Sequence, residues 1–364
     1  MGSGAKSRSS SVRPKVFRRL PRTQRADISR RGISGFGLVL AALLSIFAAP
    51  AAEAQDPIPP IAAPNLPPPP GEASQQGHRL KSDVDLVVLH VTVTNDKGDF
   101  VPDLTRNEFK IYEDKIPQDV SLFSRDDIPV TMGLVIDNSG SMREKRAQVN
   151  AAAMTFVKTS NPQDEAFVVN FNDEYYLDTD GDFTSDQNDL QNALARIDTR
   201  GSTALYDAVI GSLNHLKKGH KDKRVLLLVT DGDDDASRMS FEDTIKAAEE
   251  SNATIYTIGV FSEDDRKNDK RMVRHSKKIL TELAEATGGQ AYFPENLDQV
   301  TPICEQVAHE IRNQYTIGYY PTNGSKDGTF RAVQVRVFAP RDVGKVIVRT
   351  RTGYYAPKAS AAAD

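Results

Sequence analysis

The 364-residue chain contains a single cysteine, no tryptophan and six histidines. One cysteine excludes an internal disulfide and any cysteine-based metal cluster. The histidines are scattered, without the spacing of a zinc site. The folded region has no Walker loop and no G-x-G-x-x-G, so the usual phosphate and dinucleotide cradles are missing. Neither sign of charge dominates: 46 Lys+Arg against 50 Asp+Glu leave a formal charge of -4, too balanced for an arm that coats nucleic acid. Apolar residues at 39% and charged residues at 26% suffice to build a core, and the length calls for more than one domain.

The average conceals two unlike parts. Residues 1–32 hold ten basic residues and one acid, Asp27, and residues 33–52 are apolar and small. Ala52-Glu53-Ala54 then supplies the A-x-A pattern of a signal-peptidase site, so residues 1–54 read as a signal peptide and the product as exported, periplasmic or secreted. The rival reading is a retained membrane anchor, since the apolar stretch is about long enough to span; only then would the protein meet a membrane. Arg30-Arg31 before the apolar run resembles a twin-arginine signal, although Gly32-Ile33-Ser34 matches the rest of that motif poorly. No cysteine lies near the cleavage site, which excludes a lipoprotein. Without residues 1–54 the chain has 36 bases and 48 acids, a net charge of -12, so the cargo is clearly acidic.

Residues 55–78 hold eight of the 20 prolines and no apolar periodicity, as expected of an extended linker. Within 79–128, Leu89, Val91 and Val93 alternate with His90, Thr92 and Thr94, the pattern of a half-buried strand. Asn95 to Gly98 is a turn, Thr105 to Glu108 a capping box, and 109–112 and 120–123 flank Glu113-Asp114-Lys115 as a hairpin. Residues 129–312 change style. Apolar runs (VTMGLVI, AFVVNF, RVLLLVT, TIYTIGV, QAYF) alternate with helical spacings such as Val149/Ala153/Phe156 and Leu205/Val209/Leu213/Leu216. This is the signature of an α/β, doubly wound, mostly parallel sheet with helices on both faces. Residues 313–357 return to strands, and 358–364 form a tail. Neither strand segment is large enough for its own core, so the N- and C-terminal strands are expected to form one small all-β sandwich into which the α/β domain is inserted.

The chemistry concentrates at strand ends. The run PVTMGLVI ends in Asp137-Asn138-Ser139-Gly140-Ser141, where an open α/β sheet places its ligand. Gly201-Ser202-Thr203 precedes a helical pattern, and the strand VLLLVT ends in Thr230-Asp231-Gly232. Three hydroxyls (Ser139, Ser141, Thr203) and two carboxylates (Asp137, Asp231) suit a hard divalent cation: Mg²⁺, with Mn²⁺ and Ca²⁺ as alternatives. The hydroxyls offer direct ligands, and the carboxylates hold coordinated water and neutralise the ion. So few charges leave the metal electrophilic toward a carboxylate of a partner. Asn138, Asp233 and Asp234 are candidates for the ligand rim. The bland alternative is three turns rich in Asp, Ser and Gly. Asp178 to Asp182 has the acid spacing of a calcium loop, but Phe183 stands where that loop requires glycine.

The DNSGSM start, the GSTALYDAV segment and LLLVTDGDD resemble a von Willebrand factor type A domain with a complete metal-ion-dependent adhesion site. Over residues 80–357 the chain resembles the bacterial "VWFA-related" family, on the segments 84–137, QYTIGYYP and RTGYYAP. The resemblance implies metal-dependent binding of a protein that presents an Asp or Glu carboxylate, and no catalysis. It makes Asp137, Ser139, Ser141, Thr203 and Asp231 the metal set. Arg143-Glu144-Lys145 replaces the paired acids that build a second, adjacent metal site in integrin β subunits, so no second site is expected. The alternatives are a cell-envelope assembly protein in which the metal mainly stabilises the fold and, more remotely, a metal-dependent hydrolase.

Overall fold

The computed structural model describes residues 86–159, 161–196, 199–232, 234–341 and 343–359. The signal segment, the proline-rich linker, residues 79–85 and Asp233 lie outside the described residues.

Four strands open the described chain: β1 (Val87–Asn95), β2 (Phe109–Glu113), β3 (Ile116–Gln118) and β4 (Val120–Ser124). The α/β unit follows with β5 (Val130–Asp137), α1 (Arg146–Lys158), β6 (Glu165–Phe171), β7 (Tyr175–Leu177), α2 (Gln187–Leu194), α3 (Leu205–Leu216), β8 (Lys223–Thr230), α4 (Phe241–Glu249), β9 (Thr254–Gly259), α5 (Glu263–Asn268), α6 (Lys270–Ala286), β10 (Ala291–Tyr292) and α7 (Val300–Arg312). The chain closes with β11 (Tyr315–Tyr319), β12 (Phe330–Val337), β13 (Val346–Arg349) and β14 (Gly353–Tyr355).

The central sheet runs β10-β9-β8-β5-β6-β7 and is parallel except for β7. Its strands are apolar on both faces, because both faces are covered. Val130, Met132, Leu134 and Ile136 of β5 join Val225, Leu227 and Val229 of β8 in a core against α1, α2 and α7. Their neighbours Val135, Leu226 and Leu228 point the other way, into a second core against α3 and α6. This period-two split is what a strand buried on both sides requires. Burying each large apolar side chain contributes about 1.5–3 kcal/mol, which is why these runs tolerate no charge at their centres. From β5 the chain moves to β6 on one side and later to β8 on the other. The carboxyl end of β5 is therefore the switch point of the sheet, with an open crevice between diverging connections.

The terminal strands pair with each other. One antiparallel sheet runs β13-β1-β11-β4 and a second runs β14-β12-β2-β3, so each mixes strands from both ends of the chain. Leu89 stands opposite Ile317, and Val335 opposite Ile111. Leu89, Val91, Phe109, Ile111, Tyr315, Ile317, Val333 and Val335 share one core. Phe109 lies 5.1 Å from Tyr315 and 5.4 Å from Phe123, ring to ring. The α/β unit is thus inserted into a small sandwich, as expected.

Two local expectations need correction. The hairpin partner of β2 is β3, not residues 120–123; those form β4 and pair with β11 in the opposite sheet. The Asp114-Lys115 turn, with both residues at positive φ, is tight enough to return the chain at once. Thr92 is fully buried rather than solvent-facing, because α7 covers the second face of β1 there. Its hydroxyl donates to Glu310 Oε1 at 3.1 Å and accepts from Gln314 Nε2 at 3.1 Å.

Candidate metal centre

Each element contributes its end. β5 delivers Asp137 with no solvent exposure, and the chain then passes through a 3-10 turn, Gly140–Met142, before α1. Asp137 Oδ1 accepts from the Ser139 amide at 2.8 Å, and Oδ2 accepts from Thr230 Oγ1 at 2.6 Å. These bonds fix the carboxylate and tie β5 to the end of β8, where Asp231 follows. The Ser139 and Ser141 hydroxyls meet at 3.0 Å. Ser139 and Asp231 are buried, whereas Ser141 is exposed.

Thr203 is brought in by backbone bonds. The Gly140 amide donates to the Gly201 carbonyl at 3.3 Å, and the Arg200 amide donates to the Asn138 carbonyl at 3.2 Å. Gly201 has φ of +77°, and a Cβ there would stand 2.2 Å from Asp173 Oδ2, so this turn requires glycine. The Thr203 amide donates to Asp235 Oδ1 at 2.7 Å, and its carbonyl accepts from the Asp235 amide at 3.1 Å. The acidic turn after β8 is therefore more than a solvated loop: it braces Thr203. Asp234 belongs to the same brace, since Oδ1 accepts from the Tyr206 amide at 3.2 Å and the Ser237 hydroxyl at 2.6 Å. Asn138 is buried and faces inward, its Oδ1 accepting from Arg146 Nε at 3.2 Å.

Electrostatics sharpen the picture. Burial, and next the charge of Asp231, push the Asp137 carboxyl up, against hydrogen bonds from Ser139 and Thr230 that pull it down. Two buried carboxylates that feel each other's charge favour a positive charge nearby. Among the described residues no group of three or more His, Cys, Asp or Glu side chains is gathered for a metal. This set has two carboxylates and three hydroxyls, an all-oxygen donor set that fits a hard divalent cation.

Two cations sit beside the site that the sequence reading left without a role. Lys145 Nζ stands 3.4 Å from Asp231 Oδ2, and its side chain is 8% exposed. Arg146, almost fully buried, bonds Asn138 and the side chain of Asn170, and Asn170 Nδ2 donates to Asp178 Oδ2 at 2.6 Å. The signal available was the pair Lys145-Arg146 a few residues after an acidic and hydroxyl-rich motif. The Asp178–Asp182 stretch has a cation of its own: Arg196 bonds the Asp178 carbonyl and reaches Asp180 Oδ1 at 2.9 Å.

With this geometry in place, residues 132–233 match the family model of the von Willebrand factor type A domain. The chain carries a domain of that type. Its matched stretch runs from β5 to the turn after β8 and so includes all five residues of the candidate metal set. No curated protein matches the chain. Among solved structures, a von Willebrand factor type A protein from Catenulispora acidiphila is 12% identical, covers 76% of this chain and 75% of its own, with a TM-score of 0.45. The domain of the type V pili tip protein Mfa5 from Porphyromonas gingivalis is 13% identical, with 51% and 95% covered and a TM-score of 0.42. Proximal thread matrix protein 1 of the mussel byssus, with a zinc-occupied MIDAS motif, is 18% identical, with 54% and 48% covered and a TM-score of 0.43.

Proposed function

We propose that this protein is an exported, non-enzymatic binding module that grips an acidic group of a partner protein through a divalent cation. The observation that carries this reading is the arrangement at the switch point: two buried carboxylates and a pair of touching serine hydroxyls at the ends of adjacent parallel strands. Ser139, Ser141 and Thr203 would give hydroxyl oxygens to Mg²⁺ or Mn²⁺, and Asp137 and Asp231 would hold its waters. The bound ion would supply a Lewis-acidic position for a carboxylate. The protein's own part is to keep the oxygens converged before the ion arrives, through Thr230 on Asp137 and Asp235 on Thr203. Export rests on the basic, apolar and A-x-A segments of residues 1–54. No helix among the described residues is long and apolar enough to cross a membrane.

The test is capture of partners from intact envelopes by the tagged chain, with and without EDTA and with Asp137→Ala. The reading expects capture that EDTA and the variant both abolish. Partners that bind regardless of EDTA and of Asp137→Ala overturn it.

A second reading, an assembly protein whose sandwich makes the contacts, draws on exposed apolar side chains there: Ile116, Tyr320 and Phe338 are 53%, 56% and 63% exposed. It expects the isolated metal-site variant to keep its partners.

A further inference from the structure

Lys145 follows the 3-10 turn and carries its ammonium into the end of the sheet. Nζ donates to the Val260 carbonyl at 2.9 Å and stands 3.4 Å from Asp231 Oδ2 and 3.6 Å from Asp265 Oδ2. Asp265 closes the capping box with Ser262 at the start of α5, so the lysine is clamped between two loops. An exposed lysine pairs loosely and is screened; a buried one held by three acceptors keeps a fixed charge in a fixed place. The neighbouring Arg146 also feels the Asp137 charge, but its hydrogen bonds go to Asn138 and Asn170, and it is Lys145 that meets Asp231 directly.

We propose that Lys145 is an internal counter-ion of the cation site, sharing Asp231 with the metal and holding down the site's affinity for divalent ions. This inference rests on the cation reading above and names how that site is tuned. Asp137 and Asp231 carry two negative charges, and Lys145 offsets one of them. A divalent ion bound there then leaves a net positive centre instead of a neutral one. Such a centre holds its ion less tightly and draws an anionic ligand more strongly. The exposed edge of Asp265 takes part of the ammonium's field, but from the solvent side, where it is more readily screened.

Titration calorimetry of the full chain with Mn²⁺ decides the matter, with wild type beside Lys145→Gln, Lys145→Arg and Asp137→Ala. Removing one like charge from a partly buried site should tighten Mn²⁺ binding by about tenfold or more in Lys145→Gln. Lys145→Arg, which keeps the charge, should match wild type, and Asp137→Ala should lose binding. If Lys145→Gln binds no tighter than wild type, the counter-ion role is overturned while the cation site stands. If wild type itself binds no Mn²⁺, the cation site falls and the counter-ion role falls with it. Should Lys145→Gln be destabilised, the rise of its melting temperature from EDTA to Mn²⁺ must still exceed that of wild type; an equal or smaller rise overturns the proposal.

Discussion

Replacing Glu310 by alanine probes the seam between the α/β unit and the sandwich. Glu310 lies on α7 and is buried. Its Oε1 accepts from Thr92 Oγ1 at 3.1 Å and Tyr256 OH at 2.9 Å, and its Oε2 accepts from Arg349 at 2.7 Å. Three elements thus meet on one carboxylate: β1 and β13 of the sandwich and β9 of the central sheet. The Arg349 side chain is 19% exposed; burial pulls its guanidinium down, and the Glu310 carboxylate more than offsets that pull. Alanine leaves that cation and two hydroxyls without their acceptor. Breaking a buried pair by removing one partner costs about 3–5 kcal/mol. In a domain of this size each kcal/mol lowers the melting temperature by about 2–4 °C, so a fall of about 10 °C is expected. Glu310→Gln keeps the shape and some of the hydrogen bonds and should lose less. The assay is thermal unfolding followed by circular dichroism and calorimetry. A fall below about 2 °C for Glu310→Ala refutes the argument that this carboxylate joins the two parts.

Three further outcomes follow from the same structure. Burial, then the charges of Lys223 and Arg351, push His90 down to about 3 from 6.5. Between those values the unfolded chain takes up a proton that the folded chain refuses, so stability falls as pH drops from 6.5 toward 3. The melting temperature of His90→Gln should therefore depend less on pH over that window. Gly201→Ala, at φ +77° and against Asp173, should displace the Thr203 turn and weaken Mg²⁺ binding while leaving far-UV dichroism intact; unchanged binding contradicts the assignment of that turn. Burial pushes the Cys304 thiol up to about 12, so it should react with a thiol reagent only after the chain is unfolded by guanidinium.

The sequence made the central sheet legible because its strands are apolar on both faces and bounded by helical spacings. Asp137 at a strand end was equally legible, since an apolar run closing in an acid marks the end of a parallel strand. That the terminal strands share one sandwich followed from their size. Which strand pairs with which did not: β3 took the hairpin position beside β2, and β4 crossed to the other sheet. Burial of Thr92 was hidden because α7, more than 200 residues away in sequence, covers it. Lys145 and Asp231 are likewise 86 residues apart, and only folding brings them together. The acidic turn after β8 offered rim candidates in sequence; that Asp234 and Asp235 accept backbone amides around the start of α3 emerges only in the fold.

The central claim is that Asp137, Ser139, Ser141, Thr203 and Asp231 hold a divalent cation. Its most direct test is the melting temperature of wild type and Asp137→Ala in EDTA and in Mg²⁺ at about a hundredfold excess over the dissociation constant, where binding contributes about 2.7 kcal/mol. At about 2–4 °C per kcal/mol, wild type should melt about 5–10 °C higher with Mg²⁺ than with EDTA. Asp137→Ala should not shift. An identical melting temperature for wild type in both buffers, or an equal rise in the variant, contradicts the assignment.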